Sequence, residues 1–329
     1  MAQANSTDQL KPKDSAHCID DSKHNGISHI RSTRVTDKYV LFWNGPLSNW
    51  NIGQSFSGRR AMDLLIERLD DLEITHPSRT GLSTQLMIRH DFVCGEQFMM
   101  ACKGWLFETA TIKGADLDTS HMTHDTIERI CKAVRDGSHR GQGRGRGRGQ
   151  GHGHGNGQRQ RRVPAHGCSQ GQRTLKNNSG NNNKTSVKGR PEGGDVDSDI
   201  EIEIDFDFDA LAGGTLTSCI ITPDPRVQKE LGRRTRGFDE RVWKRASKAV
   251  VVAGSIARAE ADEELRSVYL ELGPGRNFVE GSPVDKVWGI RLRWDDPRAE
   301  DESNWRGENR LGKCHDEAAG WIRRVHKNT

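Results

Sequence analysis

The chain has 329 residues, 33% of them hydrophobic and 36 of them glycine, with a formal net charge of +4. So little apolar content excludes one continuous globule of this length and predicts an ordered part beside a substantial unstructured part. Seven scattered cysteines (18, 94, 102, 131, 168, 219, 314) form no C-x-x-C pair, which excludes a disulfide framework and points to a reducing compartment. The sequence has no N-terminal apolar leader and no apolar run near the length of a membrane span, so a cytoplasmic location is expected. Arg161-Arg162 is too small a basic cluster to establish nuclear entry.

Residues 1–36 are polar and read as a disordered N-terminal arm. The apolar run Lys38–Trp43 predicts a short strand, stopped by the turn signal Asn44-Gly-Pro46. Gly58–Leu72 has the spacing of an amphipathic helix, with Leu64, Leu65, Leu69 and Leu72 inward. A second helix is expected over Thr80–Arg89, and another over Asp125–Val134 with Ile127, Ile130, Cys131 and Val134 on one face.

The chain then changes character. From Gly141 to Gly157 glycine alternates with polar or basic residues, and the tract continues to Arg190 without one acidic residue. An acidic counterpart follows at Asp195–Asp209. Its strict alternation fits a strand with an Ile/Phe face, but such dense charge repels itself. Residues 137–215 are therefore read as a disordered low-complexity insert.

Order is expected again near Thr222, with a helix over Pro225–Arg233 capped by Thr222 or Asp224. Asp239–Glu264 carries a long helical pattern that Gly254 weakens or breaks, and Val268–Leu272 adds a short helix. Asn277–Glu280 reads as extended, Val287–Trp294 as a strand, and Asn304–Gly312 as a loop opening the final helix. Two ordered blocks, 37–136 and 216–325, thus flank the insert. Loop-closure cost grows only slowly with length, so both can belong to one domain.

The densest stretch is Cys94–Glu108. Phe98, Ala101, Cys102 and Trp105 make one apolar stripe at helical spacing, and Glu96, Met100, Lys103 and Phe107 a second line. Glu96 and Lys103 stand two turns apart, roughly 10.5 Å along the axis. Between Cys94 and Phe107 they are the only charges. Burying a carboxylate and an ammonium is costly unless they are paired or used. Either they border one ligand, or this is a core helix whose charged edge meets water, with Lys103 snorkelling outward.

Six segments, in order, resemble the NADAR family, also called the YbiA-like superfamily. They are Phe42-Trp-Asn-Gly-Pro-Leu-Ser-Asn-Trp50, Phe92-x-x-Gly-Glu-Gln-Phe-Met-Met-Ala-x-Lys103 and Asp224-Pro-x-x-x-Lys-x-Leu-Gly-Arg233. To these add Phe238-Asp-x-x-x-Trp243, Val279-Glu-x-Ser-Pro-x-Asp-x-x-Trp-Gly289 and Trp305-x-Gly-x-Asn-x-Leu-Gly312. The resemblance implies a mainly α fold with a few short strands: one compact YbiA-like domain, here interrupted by the insert. It implies N-glycosidase activity on a ribose C1–N bond, in ADP-ribosyl-guanine or a ribosylamino-pyrimidine phosphate of riboflavin biosynthesis. No cofactor is implied.

Such chemistry suits the residues. Cleaving C1–N builds positive charge on the sugar, which a carboxylate stabilises, and the departing nitrogen needs a proton. By resemblance Glu96 and Asp285 are the acidic pair. Lys103 is either a fixed cation or a desolvated amine that attacks C1 of an opened sugar to form a Schiff base. Lys229 and Arg233 suit a phosphate or diphosphate. Asn44, Asn49 and Asn309 suit ribose hydroxyls or the base, and Trp43, Trp288 and Trp305 suit stacking. Each also has a plainer role, as solvated helix face, turn former or core. Glu280 is either a third carboxylate or a solvated strand end.

Two departures from the family pattern stand out. Arg258-Ala259 replaces a Lys-Phe pair, and Cys314-His-Asp-Glu replaces the Leu-Met-x-x-Arg that follows Gly312 in the family. A competing function is weak, salt-dependent nucleic-acid binding by the Arg-Gly tract over residues 140–190. Another is ribosyl-ligand binding without turnover. A metal site is not expected: His121-Met-Thr-His124 lacks a neighbouring carboxylate in a zinc-protease arrangement, and His152 and His154 lie in the glycine-rich tract.

Overall fold

The computed structural model describes residues 32–143 and 207–328. Most of the expected N-terminal arm and most of the expected insert, including the Arg-Gly tract, lie outside the described residues.

The fold is mainly helical. Strands β1 (Thr33–Val35), β2 (Tyr39–Phe42) and β5 (Asn277–Glu280) form one small sheet. Strands β3 (Phe56–Ser57) and β4 (Asp91–Phe92) form a two-stranded ladder. The helices are α1 (Gly58–Asp71), α2 (Leu82–Ile88), α3 (Gly95–Phe107), α4 (His124–Gly143), α5 (Phe208–Ala212), α6 (Thr215–Ile221), α7 (Pro225–Arg233), α8 (Glu240–Ala261), α9 (Glu263–Ser267) and α10 (Arg310–Lys327). No helix among the described residues is long and apolar enough to cross a membrane.

The central element is α3, packed by α6, α7 and α8. Its expected stripe is buried: Phe98, Ala101, Cys102 and Trp105 are each at most 1% exposed. Close approach needs a missing side chain at Gly104, where an added Cβ would stand 2.3 Å from the Leu216 amide nitrogen of α6. Cys94 caps the helix, its sulfur accepting from the Gln97 amide at 3.4 Å. Asp224 caps α7 and Asp239 caps α8 by accepting amide hydrogens two residues on.

The sheet alternates with period two. Val40, Phe42 and Phe278 join the main helical core, and Tyr39, Leu41 and Val279 join a smaller cluster with Ile290 and Ala299. In that cluster lies a correction. Val287–Trp294 was expected as a strand, yet no ladder forms there. The Asp285 carboxylate accepts the amides of Val287 and Trp288, and Arg291 takes a left-handed φ of 58°. Ile290, Leu292 and Trp294 still alternate, covering the outer sheet face without pairing as a strand.

Other differences are smaller. Residues 33–35, expected within the arm, pair as β1 against β2. Described structure resumes at Asp207, so α5 and the start of α6 fall where insert was expected. Helix α4 runs past Val134 to Gly143. Gly254 does not interrupt α8; an added Cβ there would meet Phe98 at 2.9 Å, so it serves packing. Leu72 stands outward at the end of α1, 38% exposed.

Candidate active site

Parallel pairing of β2 with β5 sets Phe42 opposite Glu280. The segments that follow, Trp43–Trp50 and Gly281–Trp288, therefore leave the sheet at the same edge. The first reaches the N-terminus of α3, where the Asn49 carbonyl accepts the Glu96 amide at 2.8 Å. Helix α7 completes the wall.

These elements border a cavity of about 310 Å³. Trp43, Trp50 and Trp288 wall it, Asn44 and Asn49 line it, and Glu96, Glu280, Asp285 and Lys229 supply its charge. An adjoining chamber of about 470 Å³ shares Glu96, Lys229, Asp285 and Trp288, and adds Lys103, Arg233 and Lys286. One chamber is thus aromatic and carboxylate-rich, the next richer in cations.

Glu96 is 3% exposed. Its Oε2 accepts the Trp50 indole N–H at 3.2 Å, while Oε1 is buried without a hydrogen-bond partner. Burial pushes its pKa up to about 7, opposed by Lys229, the Trp50 bond and Lys103, and reinforced by Asp285. Glu280 ends β5 with Oε2 likewise buried and unpartnered. Burial, then the neighbouring Asp285, pushes it up to about 8. Two buried carboxyl oxygens without a partner, on residues that line one cavity, are costly to the fold and mark the place as more than packing.

Asp285 is fixed through one oxygen. Oδ1 accepts the amides of Val287 and Trp288, both at 2.8 Å, and its own amide donates to Ser282 Oγ at 3.1 Å. Oδ2 has no partner among the described residues and remains for a ligand.

Lys103 reaches the end of α7. Its ammonium donates to the Gly232 carbonyl at 2.8 Å and lies 4.4 Å from the Phe238 ring centre and 5.4 Å from that of Trp243. Burial lowers its pKa, and Glu96 opposes that shift. The carbonyl ends a helix, where a cation is favoured. The Lys229 ammonium lies 5.3 Å from the Trp50 ring centre. Arg233 is loosely paired with Glu230 at 3.4 Å on an exposed face.

The structure brings together Glu96, Lys103, Asp285, Trp43, Asn44, Asn49, Lys229, Arg233 and Trp288 around the two chambers. Trp305 and Asn309 do not join them. The Trp305 indole donates to Ala299 O at 2.9 Å beside Tyr39, in the small cluster. Asn309 is 3% exposed and spans the β5 backbone, its Oδ1 accepting the Glu280 amide and its Nδ2 donating to Phe278 O, both at 3.0 Å. It thereby holds Glu280 in place.

Sequence reasoning left out Trp50, Met99 and Val284 as lining residues, and Phe238 and Trp243 as partners of Lys103. Trp50 ends the segment Phe42–Trp50, where an aromatic beside Asn49 suits either the core or a wall for a flat base, and it is not among the expected site residues. It is 41% exposed, and nothing in its spacing announces the bond to Glu96.

Residues 210–323 match the family model described as the NADAR domain. Over 109 residues the chain is 36% identical to Protein irg-1 of Caenorhabditis elegans, covering 32% of this chain and 51% of that protein. Over 85 residues it is 36% identical to N-glycosidase R617 of Acanthamoeba polyphaga mimivirus, covering 26% of this chain and 49% of that protein. The chain thus spans about half the length of these curated relatives. The matched domain contains Lys229, Arg233, Glu280, Asp285 and Trp288; Glu96 and Lys103 precede it.

Proposed function

We propose that this chain, whose residues 210–323 match the NADAR domain, is an N-glycosidase that hydrolyses a ribose C1–N bond. The observation that carries this reading is the meeting of Glu96, Glu280 and Asp285, from two distant stretches of chain, at one Trp-walled cavity. The substrate is an ADP-ribosyl-guanine or a ribosylamino-pyrimidine phosphate. The base and ribose occupy the aromatic chamber, and the phosphates extend toward Lys103, Lys229 and Arg233.

In this reading the C1–N bond breaks as positive charge grows on the sugar, facing the free oxygen of Asp285. Glu96, its pKa pushed up to about 7 by burial, is protonated in about half of the molecules at neutral pH, and that form passes its proton to the departing nitrogen. Water adds its oxygen to C1 and gives its proton to a carboxylate, restoring the site. Lys103 acts as a fixed cation, since the Gly232 carbonyl and two aromatic faces favour its charged form. Burial favours the other reading, in which the neutral amine forms a Schiff base with C1.

The test incubates the full chain with ADP-ribosylated guanosine and, in parallel, with the ribosylamino-pyrimidine phosphate, adding borohydride to half the samples. Turnover of either supports the glycosidase and names the substrate. A reduced adduct on Lys103 selects the Schiff base, and its absence during turnover selects the fixed cation. Tight binding of both compounds without cleavage would favour a ligand-binding protein instead.

A further inference from the structure

The two places where the chain departs from the family pattern meet beneath the loop that carries Asn49 and Trp50. Arg258, on α8, is 4% exposed. Its Nη2 donates to the carbonyls of Pro46 at 2.9 Å and Ser48 at 3.1 Å, and Nη1 lies 3.5 Å from Asn49 Oδ1. His315, on α10 and fully buried, takes the carbonyl between them: Nε2 lies 2.7 Å from Leu47 O. A carbonyl can only accept, so Nε2 carries the hydrogen. Nδ1 therefore accepts from the Tyr269 hydroxyl, 2.6 Å away. Three successive carbonyls are held by two side chains from two helices.

Among the described residues no carboxylate pairs with Arg258. An apolar side chain would fill that space at lower desolvation cost, so packing alone does not account for a buried guanidinium. What the clamp governs is next along the chain. The Asn49 carbonyl accepts the Glu96 amide, and the Trp50 indole donates to the Glu96 carboxylate. The fit is close: a Cβ on Gly95 would stand 2.5 Å from Asn49 Oδ1 and 3.2 Å from Arg258 Nη1.

We propose that Arg258 and His315 are positioning residues, which together fix the 46–48 backbone so that Asn49 and Trp50 hold Glu96 in its working place. The effect on turnover rests on the glycosidase reading; the effect on Glu96 itself does not. Glu96 is faced by Lys103 on its own helix, Lys229 on α7, Cys219 on α6, and Glu280 and Asp285 from β5 and the following loop. None of these touches Arg258 or His315 by hydrogen bond or ion pair; Arg258→Met also removes a charge beside Gly95, so His315→Leu, which removes none, is the change that reaches Glu96 through the loop alone.

The experiment compares Arg258→Met, Arg258→Lys, His315→Leu and the Arg258→Met/His315→Leu double variant with wild type. The Glu96 carboxyl is titrated by NMR in 13C-glutamate-labelled protein, assigned with Glu96→Gln, and kcat and KM are measured. Loosening the loop removes the Trp50 bond, which favours ionised Glu96, so its midpoint rises in Arg258→Met and in His315→Leu. Turnover falls by roughly tenfold to 100-fold, mainly in kcat. The double variant is no worse than the poorer single one, because both act on one loop. Arg258→Lys, which keeps a donor, recovers part of the shift and decides the matter where Arg258→Met does not fold. Lower melting temperatures with an unmoved Glu96 midpoint and unchanged kcat would overturn the proposal. If wild type turns over neither substrate, the glycosidase reading falls, and the Glu96 midpoint still tests the clamp.

Discussion

The Trp50 indole N–H donates to Oε2 of Glu96 at 3.2 Å, joining an exposed loop side chain to the most buried carboxyl of the site. A hydrogen bond to the ionised form holds a carboxyl pKa down. Trp50→Phe keeps the ring and deletes the donor, so the Glu96 midpoint is expected above its wild-type value of about 7. An NMR titration of labelled Glu96 checks this; a midpoint at or below wild type would show that the bond does not act on the carboxylate.

Glu96 and Glu280 also set a pH dependence of stability. Both hold their protons more tightly folded than unfolded, with pKa values raised from 4.5 to about 7 and about 8. Above 4.5 the folded state therefore holds more protons than the unfolded state, and stability falls as pH rises, levelling off above about 8. Glu96→Gln and Glu280→Gln each remove one such group. Urea midpoints at about pH 5 and about pH 9 should differ less in each variant than in wild type, and least in the double variant.

Lys103→Met retains the stem and deletes the ammonium. The Gly232 carbonyl then keeps only the Thr235 hydroxyl from its two side-chain donors, and Phe238 and Trp243 lose their cation. A loss of about 1–2 kcal/mol is expected in chemical denaturation. Turnover should fall under either reading of Lys103.

Much of this site was legible because its residues sit in short segments whose spacing mirrors their geometry. Glu96 begins α3 and Lys103 stands two turns on; Asp285 and Trp288 share one turn; Lys229 and Arg233 share one face of α7. What could not be read was the partner of each polar group. Asn309 and Trp305 carry the right chemistry, but their side chains are taken by backbone groups of β5 and of Ala299. The period-two run Val287–Trp294 satisfies a strand pattern by covering one sheet face, while the Asp285 carboxylate takes amides a ladder would need. Arg258 and His315 read as departures, and only the fold brings them to adjacent carbonyls.

Gly104→Ala tests the seating of α3. The added Cβ would meet the Leu216 backbone at 2.3 Å, so α3 and α6 must separate. Overpacking of this kind costs about 1–3 kcal/mol, and a drop of several degrees in melting temperature is expected. An unchanged melting temperature would mean the two helices are less tightly seated than their geometry implies.

In the proposed reaction Glu96 and Asp285 cleave a C1–N bond at this cavity. The most direct measurement is the initial rate of free ADP-ribose release from ADP-ribosylated guanosine by wild type, Glu96→Gln and Asp285→Asn, each verified as folded. The ribosylamino-pyrimidine phosphate serves as parallel substrate. Wild-type turnover of one compound is expected, with a loss of about 100-fold or more in both variants. Wild-type turnover that survives in both variants would contradict the proposed reaction, as would a folded wild type that cleaves neither compound.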